Sequence, residues 1–337
     1  MKHDVIFGRN LLQELALTVD APFLVVTMED LWPLFRKQFD ERSIVVHFVD
    51  SIERSALDAL IERHAEVRAV VGLGGGQAVD VAKYVSWKRR IPLFQVPTSL
   101  SVNAPFAHRA AVRDEGIIKY VGFTKPDAVY IDYDIITQAP LMLNRTGVGD
   151  IFCYHTAHED WRLATEAGRC EEKWPLDEAQ ISEARAVMMS CRDAAHDIRD
   201  VTEHGIRTLV EALRWGGAAF LNNGWSPRPI EGSEHTFFYS LEYLTKKHFL
   251  HGQPVGLGAL LMSLLQDNDP EWMKDALDQC GVPYRPEDMG VTWEDCVAAL
   301  RYMPEYVEQA GLWYTAAVHY EITDDYLARA RELVYRD

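Results

Sequence analysis

Gly72-Leu73-Gly74-Gly75-Gly76-Gln77-Ala78-Val79-Asp80-Val81-Ala82-Lys83 is the stretch on which the fold turns. An apolar run, Ala69-Val70-Val71, leads into it and reads as a buried strand. From residue 78 to residue 87 apolar side chains recur at helical spacing. The glycines therefore sit on a strand-to-helix turn. Without Cβ atoms, such a turn lets backbone N–H groups approach a diphosphate, and the helix N-terminus behind it carries partial positive charge. A plain glycine-rich turn reads the same way from these residues alone. The dinucleotide pattern G-x-G-x-x-G in its usual place after the first strand is not what stands here.

Outward from this turn, short β-rich runs alternate with helical runs. Residues 5–7, 23–26, 44–48, 69–73, 93–96 and 128–131 read as strands. Residues 11–19, 31–39, 52–64 and 78–87 read as the helices between them. Strand–helix alternation implies a parallel sheet with crossover helices. Asp114-Glu115-Gly116, between two apolar runs, reads as a hairpin turn. Beyond residue 132 the β-branched clusters stop. Amphipathic stretches follow at 148–166, 176–198, 203–221, 233–247, 253–267 and 293–310. The expected organisation is an α/β nucleotide-binding domain with a Rossmann-like parallel sheet over 1–145, then an all-α domain over 146–337, with ligands in the cleft between them. Turn chemistry alone makes Asn222-Asn223-Gly224-Trp225-Ser226-Pro227-Arg228-Pro229 a loop.

The net charge of −17 argues against a nucleic-acid or polyanion binder, which needs a basic face. No apolar run reaches the roughly 18–20 residues of a membrane span, and the first residues are too polar for a signal peptide. Five cysteines, at 153, 170, 191, 280 and 296, form no Cys-x-x-Cys pair. That usage fits a reducing, cytoplasmic setting.

Three segments of the helical half carry candidate chemistry: Gly147-Val148-Gly149-Asp150, Glu231-Gly232-Ser233-Glu234-His235-Thr236, and His251-Gly252-Gln253-Pro254-Val255-Gly256-Leu257-Gly258. One carboxylate and two imidazoles make a three-ligand set for Zn²⁺ or a similar divalent ion, with a fourth position open. The residues are 85 and 16 positions apart, so spacing leaves a second reading open: Asp150 caps a helix and both histidines are ordinary polar residues. His155 and His158, five and eight residues beyond Asp150, cannot readily join it at one ion and read as structural. Lys246-Lys247-His248 reads as an exposed helix end.

Taken together with Val96-Pro97-Thr98-Ser99 and Asp160-Trp161-Arg162-Leu163-Ala164, these segments resemble the dehydroquinate synthase-like superfamily. It contains the iron- or zinc-dependent alcohol, glycerol and glycerol-1-phosphate dehydrogenases. The resemblance runs from Gly8 to about Leu327 and is nearest to the sn-glycerol-1-phosphate dehydrogenase branch. It implies the dehydroquinate synthase-like fold, with Asp150, His235 and His251 as ligands to Zn²⁺ or another divalent ion such as Fe²⁺ or Ni²⁺. It implies NAD(H) or NADP(H) bound at Gly74, Gly75, Gly76, Asp80, Thr98, Ser99 and Met28. The implied chemistry is hydride exchange between a nicotinamide and a small polyol or its phosphate, by a homo-oligomer. The ion would polarise the carbonyl or lower the pKa of the hydroxyl.

Some positions depart from the pattern. Where the glycerol and glycerol-1-phosphate dehydrogenases have an Asp near the reacting hydroxyl, this chain has Asn103, which can hydrogen-bond but cannot act as a base. Met28, beside Glu29 and Asp30, stands where an Asp often selects NAD, which leaves the cofactor preference open. Arg109, Arg113 and Lys119 lie on the arms of the proposed hairpin and would bind a phosphate or carboxylate if they converge. Lys119 to Pro126 and Glu234-His235-Thr236-Phe237 also resemble the sister sugar-phosphate cyclases, carbon–oxygen lyases with catalytic NAD⁺. That alternative lacks the cyclases' Glu ligand and their Lys, whose positions hold Asp150 and Cys153.

Overall fold

The computed structural model describes residues 4–114, 116–222 and 226–336, with the backbone alone over 218–222. Glu115 of the expected turn and residues 223–225 of the expected loop lie outside the described residues. The chain divides into two compact units, Met1–Pro140 and Leu141–Asp337.

The first unit carries strands β1 (Asp4–Gly8), β2 (Phe23–Thr27), β3 (Ile44–Phe48), β4 (Ala69–Gly74), β5 (Leu93–Pro97), β6 (Ala110–Asp114), β7 (Ile117–Val121) and β8 (Ala128–Asp132). Among the described residues, β3, β2, β4, β5, β8 and β1 lie side by side in that order, each neighbouring pair parallel. Parallel neighbours need crossovers. Helices Trp32–Phe35, Arg54–Arg63 and Gly76–Arg89 supply those within β2 to β5. The expected helix over 31–39 is shorter and ends in a 3-10 turn, Arg36–Gln38.

Burial on both faces explains why the strands are almost wholly apolar. Phe23 and Val25 of β2 join Val71 and Leu73 of β4 on one face, packed by Leu12, Leu15 and Phe35. Leu24, Val26 and Val70 face the other way, against Leu57, Leu60, Val81 and Val85. The connection after β2 runs to β3 on one side, and that after β4 runs to β5 on the other. The carboxyl ends of β2 and β4 therefore flank a switch point, where a doubly wound sheet opens a ligand crevice.

The second unit is helical, with no strand among its described residues. Helices Gly149–Phe152, Tyr154–Glu166, Glu178–Asp193, Ala195–Arg199, Glu203–Asn222, Ser233–Thr245, Gly252–Leu265 and Trp293–Ala310 occupy the expected stretches. Two more, Pro270–Cys280 and Asp324–Tyr335, were not anticipated from periodicity. Both have ordinary start signals. Asp269 and Thr323 cap them by accepting the N–H of Trp272 and of Tyr326.

Two buried side chains hold the segment that leads into helix Ser233–Thr245. Arg228 pairs with Glu171 at 2.8 Å and donates to the Tyr314 carbonyl at 2.7 Å. His158 Nε2 donates to the Pro229 carbonyl at 3.1 Å. Burial pushes the pKa of His158 from 6.5 down to about 3, so the folded protein keeps this ring neutral where the unfolded chain protonates it. Stability from this residue is complete above pH 6.5 and is lost as the pH falls from there toward 3. In urea melts, the parent should lose about 2 kcal/mol more than His158→Gln between pH 7 and pH 5. Parallel pH profiles for the two proteins would rule this out.

Candidate functional site

In the first unit, Gly75 is the N-cap of helix Gly76–Arg89 and offers no side chain to its first turn. The helix starts two residues before the apolar pattern, because Gly76 and Gln77 carry nothing apolar to mark that turn. Its leading N–H groups are thus presented beside the switch point. A Cβ on Gly74 would lie 2.8 Å from the Ala78 methyl and 3.9 Å from Met28 Cγ, and Gly74 adopts a φ of +158°. So Met28, directly after β2, meets the glycine turn directly after β4. Thr98 N–H donates to the Gly74 carbonyl at 3.1 Å, which brings the buried Thr98 and Ser99 to the same edge. Asp80 pairs with the buried Lys83 at 2.6 Å. Lys83 also donates to the carbonyls of Ala104 and Arg109, at 2.9 and 2.7 Å. The Asn103 carbonyl accepts from Phe106 and Ala107 and so forms a turn in the same loop.

The hairpin register separates two of the basic residues. Val112 pairs with Lys119 and Arg113 with Ile118. Neighbouring residues of a strand face opposite ways, so Arg113 and Lys119 point to opposite faces. The condition set for Arg109, Arg113 and Lys119, that they converge as one cluster, is therefore not met by Arg113 and Lys119.

In the second unit, Asp150, His235 and His251 come together. Asp150 Oδ1 lies 3.7 Å from His235 Nε2 and 3.3 Å from His251 Nε2, and the two Nε2 atoms are 3.3 Å apart. Bonds of the usual length to zinc from nitrogen and oxygen, set tetrahedrally, give edges of about 3.3–3.6 Å. The donor set therefore fits a divalent ion. The His251 side chain is 21% exposed, against 5% for His235, so the triangle opens on the His251 side.

Close backbone packing makes this convergence possible. A Cβ on Gly149 would run into the carbonyl of Gly252, and one on Gly252 into that of Thr146. These glycines adjoin Asp150 and His251, so the segments that bear the two residues touch main chain to main chain. His235 is aimed by its neighbour. His235 Nδ1–H donates to Glu234 Oε1 at 2.9 Å, which directs the Nε2 lone pair at the triangle. Glu234 is in turn held by the Gly232 N–H at 2.6 Å and the Thr156 hydroxyl at 2.7 Å.

The electrostatics call for positive charge. Burial alone would raise the pKa of Asp150, but His251 and His235 hold it well below the usual carboxylate range. Burial works against a charge on His235. Hydrogen bonds to Asp150 and Glu234 and the nearby Glu231 nevertheless raise its pKa to about 10. Burial pushes up Glu231, which accepts the Tyr239 hydroxyl at 2.6 Å. Burial and the Glu234 charge push Asp160 up to about 7.

His155 and His158 stand apart from the triangle as structural groups, with Nε2 donating to the carbonyls of Asn268 and Pro229 respectively. Lys246, Lys247 and His248 are exposed at a helix end, as expected. Sequence reasoning gave no role to Glu234, Thr156, Asp160 or Glu231. A carboxylate directly before a candidate histidine was the available signal for Glu234.

A family model described as iron-containing alcohol dehydrogenase matches residues 7–140. A glycerol-1-phosphate dehydrogenase (NAD(P)+) of Hyperthermus butylicus is 32% identical, covering 92% of this chain and 91% of that protein. One from Thermofilum pendens is 38% identical over 240 residues, 71% of this chain and 68% of that protein. Among solved structures, a probable glycerol dehydrogenase from Sinorhizobium meliloti superposes with a TM-score of 0.75 at 22% identity, over 98% of this chain and 95% of that one. Glycerol dehydrogenase from Schizosaccharomyces pombe gives 0.69 at 18% identity, over 100% and 92%.

Gly149→Ala tests the packing on which the triangle depends. Its extra methyl meets a backbone carbonyl and cannot be accommodated by a side-chain shift. It should cost about 1–3 kcal/mol in urea unfolding and lower the affinity for Zn²⁺ in chelator competition. Parent-like stability together with parent-like zinc affinity would show that the approach at Gly252 is not a constraint.

Proposed function

Because the chain belongs to the family of glycerol-1-phosphate dehydrogenases, NAD(P)-dependent oxidoreductases acting on a CH–OH group, we propose that it interconverts sn-glycerol 1-phosphate and the corresponding ketone, dihydroxyacetone phosphate. The observation that carries the reading is the triangle of Asp150, His235 and His251, with edges of 3.3–3.7 Å. We propose Zn²⁺ as its ion, on the match of those edges to a tetrahedral set.

The ion would supply Lewis acidity to the reacting oxygen, and the nicotinamide would exchange the hydride. The protein's part is position and charge. Asp150 contributes an anionic ligand whose low pKa keeps it ionised across the working range. Glu234 fixes the tautomer and angle of His235. The Phe238 ring, with its centroid 5.0 Å from that of His251, packs edge-on against it and limits its swing. The N-terminus of helix Gly76–Arg89 would take the cofactor diphosphate, with Met28, Thr98 and Ser99 at its edge. Asp80 would act there through Lys83, which holds the loop that contains Asn103. The Asn103 amide can hold a hydroxyl by hydrogen bonding and takes up no proton. Arg109, Arg113 and Lys119 remain candidates for the phosphate individually, not as a patch.

The cyclase alternative has less support. The position where those enzymes keep a lysine holds Cys153, which is sealed and donates its S–H to the Asp150 and Ile230 carbonyls. We propose a cytoplasmic setting, supported by five free cysteines.

Purified protein supplied with Zn²⁺ should change the nicotinamide absorbance with sn-glycerol 1-phosphate or dihydroxyacetone phosphate, and far less with sn-glycerol 3-phosphate. Asp150→Ala removes several kcal/mol of transition-state stabilisation, so kcat/KM should fall at least about a thousandfold. No turnover with either phosphate enantiomer, or parent-like turnover of Asp150→Ala, would sink the proposal.

A further inference from the structure

Asp160 is an acidic side chain only 1% exposed in the second unit, and none of the chemistry above uses it. It lies on helix Tyr154–Glu166, which resumes one residue after the helix of Asp150 ends. Its Oδ2 accepts the Ser233 N–H at 2.6 Å and the Ser233 hydroxyl at 2.7 Å. Its Oδ1 accepts the Ala316 N–H at 2.7 Å and Gln266 Nε2 at 3.0 Å. One carboxylate thus has four donors, drawn from three other segments.

Two of those segments carry the remaining ligands. Ser233 opens helix Ser233–Thr245, which bears His235 in its first turn. That helix starts at Gly232, which has no side chain to cap it, so its cap comes from Asp160, 73 residues earlier in the chain. Gln266 closes helix Gly252–Leu265, whose N-cap is His251. Gln266 Nε2 also reaches the Thr156 carbonyl at 3.1 Å. Thr156 and Asp160 are four residues apart and share a helix face. Through Thr156 this face also holds Glu234 at 2.7 Å. The segments bearing Asp150, His235 and His251 are therefore tied to one another through a single helix face.

We propose that Asp160 is a positioning residue for the ion site: it sets the spacing of Asp150, His235 and His251 by joining the helices of His235 and His251 to the helix that follows Asp150 in the chain. The inference rests on the metal reading of that triangle. Asp160 touches none of the three ligands and acts through Ser233 and Gln266.

The test is the Zn²⁺ affinity of the apoprotein, measured by competition with a chromophoric chelator. Asp160→Asn keeps the size of the side chain but turns one oxygen into an NH₂ that must face two donors. Its zinc dissociation constant should rise about 10–100-fold, with the NADH dissociation constant unchanged. Tyr326→Phe is the control for general loosening, since it removes a buried hydrogen bond of 2.8 Å to the Leu261 carbonyl on helix Gly252–Leu265. It should bind zinc like the parent. Ser233→Ala, which loses only the hydroxyl donor, should show a smaller rise of the same sign, and it serves if Asp160→Asn does not fold. Parent-like zinc affinity in Asp160→Asn and Ser233→Ala, or an equal loss in Tyr326→Phe, overturns the positioning role while Asp150→Ala still loses the ion. Should Asp150→Ala bind zinc as the parent does, the metal reading falls and this inference falls with it.

Discussion

Three electron-rich atoms held 3.3–3.7 Å apart repel one another unless positive charge lies between them. This constraint organises the second unit. Asp150, His235 and His251 come from three helices, and a protein gains nothing from aiming lone pairs at a common point inside a low-dielectric interior. The raised pKa of His235 expresses the same demand, since a proton on its ring is the smallest cation the site can take. A divalent ion meets that demand with better geometry and more charge. The helices approach at Gly149 and Gly252 so that the lone pairs can meet. Glu234 and Asp160, both fully bonded, keep the helices from relaxing apart.

The two units solve different problems. In the first, a parallel sheet buried on both faces supplies a rigid edge at which three loops end together: Met28 after β2, the glycine turn after β4, and Thr98 and Ser99 after β5. The chemistry there belongs to the backbone, because an uncapped helix start presents N–H groups and little else. In the second, the chemistry belongs to side chains, whose precision comes from buried carboxylates. The acidic excess of the chain is consistent with this. Within the core of the second unit, Asp150, Asp160, Glu231 and Glu234 are all buried.

Much of the first unit was legible in the sequence, because its pattern is local. Strand-length apolar runs bounded by turn residues gave all six sheet strands, and the glycine turn gave the change to helix. The helix start at Gly76 was missed by two residues for the same local reason: glycine and glutamine leave no hydrophobic mark. Asp150, His235 and His251 could be read from their residue types as one candidate set, but residues separated by 85 and 16 positions have no spacing rule to join them, and the resemblance alone favoured that reading. Asp160 received no role because its partner Ser233 lies 73 residues away, and hydrogen bonding across such a distance leaves no periodicity; Glu234, next to His235, did carry a local signal. Helices Pro270–Cys280 and Asp324–Tyr335 are a different failure. Their caps at Asp269 and Thr323 are ordinary start signals, readable in the sequence. Whether the basic residues of the hairpin converge depends on register, which residue spacing leaves open: a one-residue offset between Val112 and Arg113 reverses the face.

A second set of donors tests how specific the arrangement is. Cys153, Glu234 and His235 also bring ligand atoms within 4.8 Å of one another, and they share His235 with the first set. The two sets compete for one imidazole, so its tautomer decides between them. With the proton on Nδ1, the ring donates to Glu234 and offers Nε2 to Asp150 and His251. With the proton on Nε2, the ring would face Glu234 lone pair to lone pair. An ion held there by Nδ1 and Glu234 would need a thiolate at Cys153 as its third ligand. Burial and the charges of Glu234, Asp150 and Glu231 raise the pKa of Cys153 well above the usual thiol value. Its S–H is already committed to two carbonyls. The Nδ1 tautomer satisfies Glu234, leaves Cys153 neutral and opens Nε2 on the side where His251 is exposed. The hydrogen bonds behind the histidine thus favour the set of Asp150, His235 and His251 over the one that includes Cys153.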